Sequence, residues 1–438
     1  MQKNDIIAPM KPSVGGYVER LADDVLHQLM SALPALLLVG PRAIGKTTTA
    51  LRHAETVVRL DRAAEAVAFE ADPDAALRGL PEPVLLDEWQ LVPGVLGAVK
   101  RAIDRDPRPG RFLVTGSVRA DLEQPTWPGT GRLVRLPMYG LTQRELVGRA
   151  QGPGLIDRIA IQGPAGALVS CPDPPDLRDY VGLALRGGFP DTALRLDGRA
   201  RRAWLKSYVG QLLTRDVALV DRGRDPDRLR RYLEALAIVS AQVVHDKTIL
   251  EAAHINRLTA HAYEQLLRNL FVVDAVPAWT TKRLSQLGRS SKRFLVEPAL
   301  SGPLLGVTVD DVMREGRLLG ALLESFVVAQ IRAEVALSDV PRRLFHLRTG
   351  GGRQEVDLLV DLGRGRMLAV EVKATAAPTR KHVRHLIWLR ERLGDRFHAG
   401  VVLHTGPRAF ELDAGIVATP IAALWSNPGP QPASTLSS

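Results

Sequence analysis

Residues 34–50 read PALLLVGPRAIGKTTTA. The apolar run Leu36–Val39 is short enough for a buried parallel strand. It breaks at Gly40, and the eight positions from there fit G-x-x-x-x-G-K-[ST], with Gly40, Gly45, Lys46 and Thr47 at the fixed places. That spacing belongs to the loop that joins a strand to a helix and cradles phosphate. The glycines let the backbone wrap with its N–H groups inward, forming an anion nest ahead of a helix N-terminus. Lys46 can reach the β- and γ-phosphates, and the Thr47 hydroxyl can hold Mg²⁺. The expected nucleotide contacts are therefore Gly40, Pro41, Arg42, Ala43, Ile44, Gly45, Lys46, Thr47 and Thr48, with ATP and Mg²⁺ as the ligands.

Working outward, Thr56–Leu60 reads as a second strand, and Pro83–Gln90 (PVLLDEWQ) as an apolar strand ending in two carboxylates. Open α/β sheets bind ligands at the carboxyl ends of their strands, so this pair falls where a phosphate site needs it. Asp87 is the expected Mg²⁺ partner, through water, and Glu88 the residue that polarises the attacking water. Arg111–Ser117 (RFLVTGS) is a further apolar strand whose end offers Thr115 or Ser117 as a sensor of the γ-phosphate. Gly131-Arg132 follows, and Arg132 is the candidate for reaching the γ-phosphate on a neighbouring subunit, with Arg119 and Arg135 as rivals.

The ordered series GPRAIGKTT, LLDEWQ, LVTGSVRADL, the Gly-Arg pair, LTQREL and GGFP (Gly187–Pro190) resembles a large group of prokaryotic AAA-type ATPases. The resemblance extends over nearly the whole chain. It implies an AAA-like P-loop domain, a winged-helix module and a C-terminal nuclease-like domain of uncertain function.

The 438 residues suffice for two to four domains, and 45% hydrophobic with 24% charged residues is an ordinary globular composition. The formal charge of +10 favours a polyanionic partner, nucleic acid before membrane, although the abundance of Arg, Ala, Gly and Pro also fits a compositional bias. Cys171 stands alone, so neither an intrachain disulfide nor a Cys-based zinc site is encoded. The first residues lack the apolar stretch of a signal peptide, and no run approaches the roughly eighteen residues needed to span a bilayer. A cytoplasmic protein without a membrane partner is expected.

Residues 151–175 are rich in Pro and Gly with little periodicity and read as a loop or insertion. Helical stretches at 177–187 and 199–220 complete a lid over 151–225. Residues 226–300 read as a winged helix-turn-helix, with helices at Asp227–Gln242, Thr248–His254 and Leu258–Leu270. Two alternating stretches there would form a hairpin around a basic tip, TTKRLSQLGRSSKR. On DNA the third helix would enter the major groove while Lys and Arg of the wing contact phosphates. A lid or protein-contact role is the equal alternative.

Residues 301–425 form a different α/β unit. A helix at Arg317–Val335 carries Glu324, and strands around 344–348, 355–360 and 367–372, a helix at 380–392 and a strand at 399–404 follow. This α-β-β-β-α-β order is that of the PD-(D/E)xK nuclease fold. Glu371 and Lys373 are two apart on one strand and leave the same face. Asp357 and Glu371 would hold one or two divalent cations, Mg²⁺ or Mn²⁺. Lys373 would activate water, and Glu324 would be an accessory acid. The alternative is a degenerate copy with a salt-bridged Glu–Lys strand. Residues 426–438 read as a disordered tail. The expectation is thus an α/β chain with three parts: an AAA-like P-loop sheet domain over 1–150, a helical and winged-helix middle, and a PD-(D/E)xK-like domain. Its ATP cycle controls a DNA-directed, nuclease-like domain in a homo-oligomer. The alternative is a nucleotide-driven switch with an inactive C-terminal recognition domain.

Overall fold

The computed structural model describes residues 16–117, 131–216, 225–280, 290–349 and 352–426. Five strands, β1 (Ala35–Val39), β2 (Thr56–Arg59), β3 (Val84–Asp87), β4 (Phe112–Gly116) and β5 (Val134–Pro137), form one sheet in the order β2-β3-β4-β1-β5. All neighbours are parallel. The central strands are apolar at nearly every position because helices cover both faces, and β1, β3 and β4 are buried throughout. The carboxyl ends of β1, β3 and β4 lie side by side, which brings Gly40, Asp87 and Ser117 to one edge.

The middle of the chain has helices Pro226–Ile238, Asp246–Ala253 and Arg257–Asn269, followed by strands β6 (Val273–Val276) and β7 (Lys292–Leu295) in an antiparallel hairpin. Its helices share a core with the first sheet through Leu229, Tyr232, Leu233 and Tyr263. The expected basic tip falls largely on residues 281–289, outside the described residues. Of its two described cations, neither is free for phosphate. Lys292 is buried, and Arg293 is paired with Glu264 at 3.1 Å and Asp246 at 2.6 Å. On helix Arg257–Asn269, Arg268 is tied to Glu264 at 2.6 Å, while Arg257, Leu258 and His261 are exposed.

The C-terminal sheet has six strands, β8 (Arg343–Arg348), β9 (Glu355–Asp361), β10 (Met367–Lys373), β11 (Phe397–His404), β12 (Phe410–Asp413) and β13 (Ile416–Pro420), in the order β12-β13-β11-β10-β9-β8. Helix Gly316–Val335 precedes them and helix Arg384–Leu393 separates β10 from β11, giving the expected α-β-β-β-α-β order with two strands added. Between the pairs Phe345–Leu359 and Leu347–Val356 two residues of β9 face one of β8. This bulge falls at Asp357, and bulges re-aim side chains. The β9–β10 ladder stops at Leu358–Val370, and Asp357 stands in the gap, its Oδ2 accepting the Val372 N–H at 2.9 Å.

Residues 151–175 differ from the expected loop. Helix Leu155–Gln162 forms there, and its Leu155, Ile156 and Ile159 join Tyr180, Val181 and Ala184 in one core with Phe326, Val360 and Val370. An apolar face offered to the C-terminal sheet outweighs a Pro/Gly-rich composition. Among the described residues no helix is long and apolar enough to cross a membrane. The tail from 427 onward lies outside the described residues.

Candidate functional site

The loop after β1 adopts the wrapped conformation that its glycines allow. Positive φ recurs at Ala43 (59°) and Gly45 (95°), the alternation of backbone conformation from which anion nests are built. At Gly40 a side chain has no room, since a Cβ there would lie 2.1 Å from the Met138 carbonyl. Lys46 is buried, and its Nζ donates to the Gly40 carbonyl at 3.0 Å and the Pro41 carbonyl at 2.6 Å. Burial pulls the ammonium down to about 8, only partly offset by the charge of Glu88. A buried cation that makes no ion pair among the described residues, in a phosphate-loop sequence at the end of a strand, fits a polyphosphate.

Across from the loop, Thr47 Oγ1 donates to Asp87 Oδ1 at 2.8 Å, and Thr115 Oγ1 donates to the same oxygen. Asp87 is thus the joint of β3, β4 and the loop, with the oxygen donors suited to Mg²⁺. Glu88 follows in the left-handed region (φ 57°), and its Oε2 accepts from Gln90 Nε2. Ser117 Oγ accepts from Arg42 Nε at 3.0 Å. The two sensor candidates therefore divide: Thr115 touches Asp87 and Ser117 fixes an arginine of the loop. Thr48 is exposed and Ile44 fully buried.

Arg132 is not brought to this edge. Its Nε pairs with Asp104 at 2.8 Å, where Asp104 lies in the last turn of helix Gly94–Arg105. It precedes β5, whose first residue lies beside Leu36 at the start of β1. Since the loop follows the end of that five-residue strand, Arg132 lies roughly 15 Å of strand away in its own subunit. Arg119 lies outside the described residues.

Three contributors were not assigned to the site from the sequence. Arg20 is buried and donates from Nη1 to the Ile44 carbonyl at 2.9 Å, from Nη2 to the Tyr139 carbonyl at 2.7 Å and from Nε to Glu145 at 2.9 Å. The Tyr17 hydroxyl donates to Asp23 at 2.7 Å and lies 3.0 Å from Thr49 Oγ1. Phe189, Trp204 and Tyr208 cluster with ring centroids 4.6–5.4 Å apart, and the Tyr208 hydroxyl donates to the Arg42 carbonyl at 3.5 Å. The local signals were the Gly187–Pro190 stretch, which holds Phe189, and Thr142-x-x-Glu145, a capping box that holds Glu145 for Arg20.

The C-terminal candidates do come together, but with a cation among them. Lys373 Nζ is 2.5 Å from Glu371 Oε2 and 4.0 Å from Asp357 Oδ2. Lys292 Nζ, from β7, lies 2.9 Å from Glu324 Oε1, 3.6 Å from Asp357 Oδ1 and 3.7 Å from Glu355 Oε1. Burial alone would pull Lys292 down, yet Glu324, Asp357 and Glu355 hold it above the usual lysine range. Burial pushes the Glu324 carboxyl up to about 8, and burial with the Asp357 charge raises Glu371 well above the carboxylate range. Burial likewise opposes ionisation of Asp357, but Lys292 and Lys373 keep it below its ordinary value. Among the described residues no group of three His, Cys, Asp or Glu is placed to hold a metal ion. The donor set expected for Mg²⁺ or Mn²⁺ therefore does not fit one as it stands.

Comparison with known proteins adds the following. Residues 33–147 match the family model of an AAA domain, 177–311 a domain of unknown function (DUF8612) and 319–424 another domain of unknown function (DUF4143). The chain is 27% identical over 401 residues to the uncharacterized protein Rv2008c of Mycobacterium tuberculosis and to the uncharacterized protein Mb2031c of Mycobacterium bovis, covering 90% of this chain and 82% of each relative. Among solved structures it is similar to the Walker-type ATPase PABY2304 of Pyrococcus abyssi, with 14% identity, a TM-score of 0.40 and coverage of 68% of this chain and 99% of the other. It is also similar to protein VC1899 from Vibrio cholerae, with 11% identity, a TM-score of 0.20 and coverage of 89% and 95%. The AAA match spans β1–β5, so the loop, Asp87 and Glu88 all lie within an AAA-type P-loop domain.

Proposed function

We propose that this chain binds Mg·ATP at Gly40–Thr47, hydrolyses it, and uses the cycle as a switch acting on its middle and C-terminal parts. The observation that carries this is the buried Lys46 ammonium, held among the described residues by the Gly40 and Pro41 carbonyls beside the Thr47–Asp87–Thr115 contact. When bound, Mg²⁺ would neutralise charge on the phosphate oxygens. Lys46 exchanges its carbonyl partners for phosphate oxygens. Thr47 and Asp87 present oxygens to the metal, and Thr115 keeps Asp87 aimed. Glu88 leaves the Gln90 amide to orient the attacking water, a role that general-base mutations price at about 10²–10⁴-fold. The aromatic cluster of Phe189, Trp204 and Tyr208 rests on Arg42, so movement of the loop has a path into the helices beyond it. In a homo-oligomer, Arg132 could act only on a neighbour's nucleotide, and sizing with and without ATP reads that arrangement.

The test is phosphate release alongside nucleotide binding. Lys46→Ala is expected to lose turnover by at least about 100-fold, and Glu88→Gln to bind ATP with turnover down by about 10²-fold or more. Unchanged turnover in Glu88→Gln would remove its assigned role.

A second reading, that the C-terminal domain is a DNA-directed nuclease, is favoured by one observation. Glu371 and Lys373 share a strand face, with Asp357 4.0 Å from the Lys373 amine. DNA cleavage in Mn²⁺ that disappears in Asp357→Asn would support it. The lysine between Glu324 and Asp357 favours the switch.

A further inference from the structure

Helix Gly198–Gln211 has two unlike sides. Its inner side meets the nucleotide site. Trp204 and Tyr208 stack with centroids 5.4 Å apart, both lean on Phe189, and Tyr208 reaches the carbonyl of Arg42 in the phosphate loop. Arg201 also turns inward, and its Nε donates to the Thr192 and Leu196 carbonyls at 3.0 Å. The outer side bears Arg199, Arg202 and Lys206, all exposed. Steps of three and four residues put them in one stripe, which runs for about 10 Å along the helix.

The stripe does nothing for its own helix. Like charges three and four residues apart repel each other, and a cation in the first turn, as Arg199 is, faces the positive end of the helix dipole. Carboxylates relieve such repulsion elsewhere: among the described residues every other helix of eight residues or more carries at least one, and this helix carries none in 14 residues. Neighbouring elements do not answer the stripe either, since Arg199, Arg202 and Lys206 make no ion pair among the described residues. Three cations that oppose the helix bearing them and meet no anion in their own chain fit an anion from outside.

Their surroundings select which one. Beside the cations stand Ala200, Ala203 and Ser207, exposed and small, so a rigid backbone can come close. No large apolar side chain accompanies them to enter an anionic membrane. The aromatic rings of the helix face inward, so the unstacked bases of a single strand find no platform. A stripe of about 10 Å follows one phosphate backbone and cannot span the successive grooves by which double-stranded RNA is held. The regular phosphate line of duplex DNA meets these conditions, and each arginine can grip a phosphate through two N–H groups. The net charge of +10 draws such a polyanion in.

We propose that the Arg199–Arg202–Lys206 face binds the phosphate backbone of duplex DNA without regard to sequence, and that DNA and nucleotide sense each other through the Trp204–Tyr208 side of the same helix. The coupling rests on the ATP reading above, whereas the binding face stands without it.

The experiment is fluorescence polarisation of a labelled DNA duplex titrated with the full chain, first without nucleotide, between about 50 and 200 mM salt. Three phosphate contacts contribute roughly 2.7 to the slope of log affinity against log salt. Arg199→Gln/Arg202→Gln/Lys206→Gln is expected to bind at least about tenfold more weakly, with a slope shallower by about 2–3. Arg199→Lys/Arg202→Lys should keep most of the affinity. The charge-matched Arg62→Gln/Arg78→Gln/Arg343→Gln, on exposed sites of other elements, should bind as wild type does. An equal loss in both triple variants, or no loss in the first, overturns the face. Tighter binding to single-stranded DNA, to an RNA duplex or to phosphatidylserine vesicles overturns the partner. A non-hydrolysable ATP analogue is then added. It is expected to shift duplex affinity at least about fivefold, and the duplex to shift analogue affinity by the same factor. Duplex binding with no such shift removes the coupling. Duplex binding by a chain that neither binds nor hydrolyses ATP upholds the face and removes the ATP reading.

Discussion

At the scale of single residues, the nucleotide site hangs on one carboxylate oxygen. Asp87 Oδ1 accepts from both Thr47 and Thr115, so the second of these hydroxyls helps to aim the acid. Thr115→Val keeps the shape and deletes that donor. Turnover is expected to fall about 10–100-fold, the usual cost of removing such a support, with ATP binding changed less. Comparing kcat with a nucleotide-binding curve checks it. Lys46 gives a pH dependence. In the free protein its ammonium titrates near 8, lowered by burial. Bound phosphate favours the charged form and raises that value. Affinity owed to Lys46 is therefore complete below about pH 8 and lost as pH rises through it, by up to about tenfold per pH unit. Binding isotherms from pH 7 to 9.5 should show the slope, and Lys46→Met should abolish it. These residues were legible because a phosphate loop is local: Gly40 to Thr48 carry their spacing within nine positions. Lys292 was not, because its burial follows from the register of a hairpin lying against another module. The distance of Arg132 from the loop of its own chain was not legible, because a motif series has no up or down, whereas a parallel strand does.

At the scale of elements, Arg20 ties the segment before helix Ala22–Ala32 to the phosphate loop and to the turn after β5. Its partner Glu145 is 3% exposed, so removing the guanidinium leaves a buried acid without its countercharge, held only by the Leu21 and Thr142 N–H groups and the Thr142 hydroxyl among the described residues. Arg20→Ala is expected to cost about 3–5 kcal/mol in urea unfolding, and Arg20→Ala with Glu145→Ala less than the sum of the single losses. The strands of the first sheet could be read from their apolar runs because a covered parallel sheet needs them. The C-terminal α-β-β-β-α-β order was likewise readable from alternation and length. Helix Leu155–Gln162 was hidden: its start is Gly154, whose N–H donates to Asp157 at 3.0 Å, and glycine there reads as a loop signal.

At the scale of the whole molecule, Glu297 sits where the three parts meet. It is buried, accepts the Gly188 N–H at 2.9 Å and lies so close to Gly140 that a Cβ there would stand 2.1 Å from Oε1. Burial raises this carboxyl to about 7, with Gly188 and the charges of Arg20 and Arg332 opposing. Its folded value lies above its unfolded one. The stability it contributes is therefore complete below about pH 4.5 and lost as pH rises through about 7. Unfolding free energy should decline between about pH 4.5 and 7, and Glu297→Gln should flatten that decline by on the order of 3 kcal/mol at most. Denaturant titrations at several pH values measure it. In the sequence each part carries its own motif or element order. How the parts interleave was not legible there, because cores are assembled from residues far apart in the chain. That interleaving has a consequence for biosynthesis. Leu155, Ile159 and Tyr180 leave the ribosome long before the sheet strands Val360 and Val370 that cover them. Their apolar faces must wait, exposed or sheltered by a chaperone, while the hairpin and its lysine are made. A nascent chain released before β10 would present a sticky, half-built core, and the C-terminal sheet expressed alone would lack one wall.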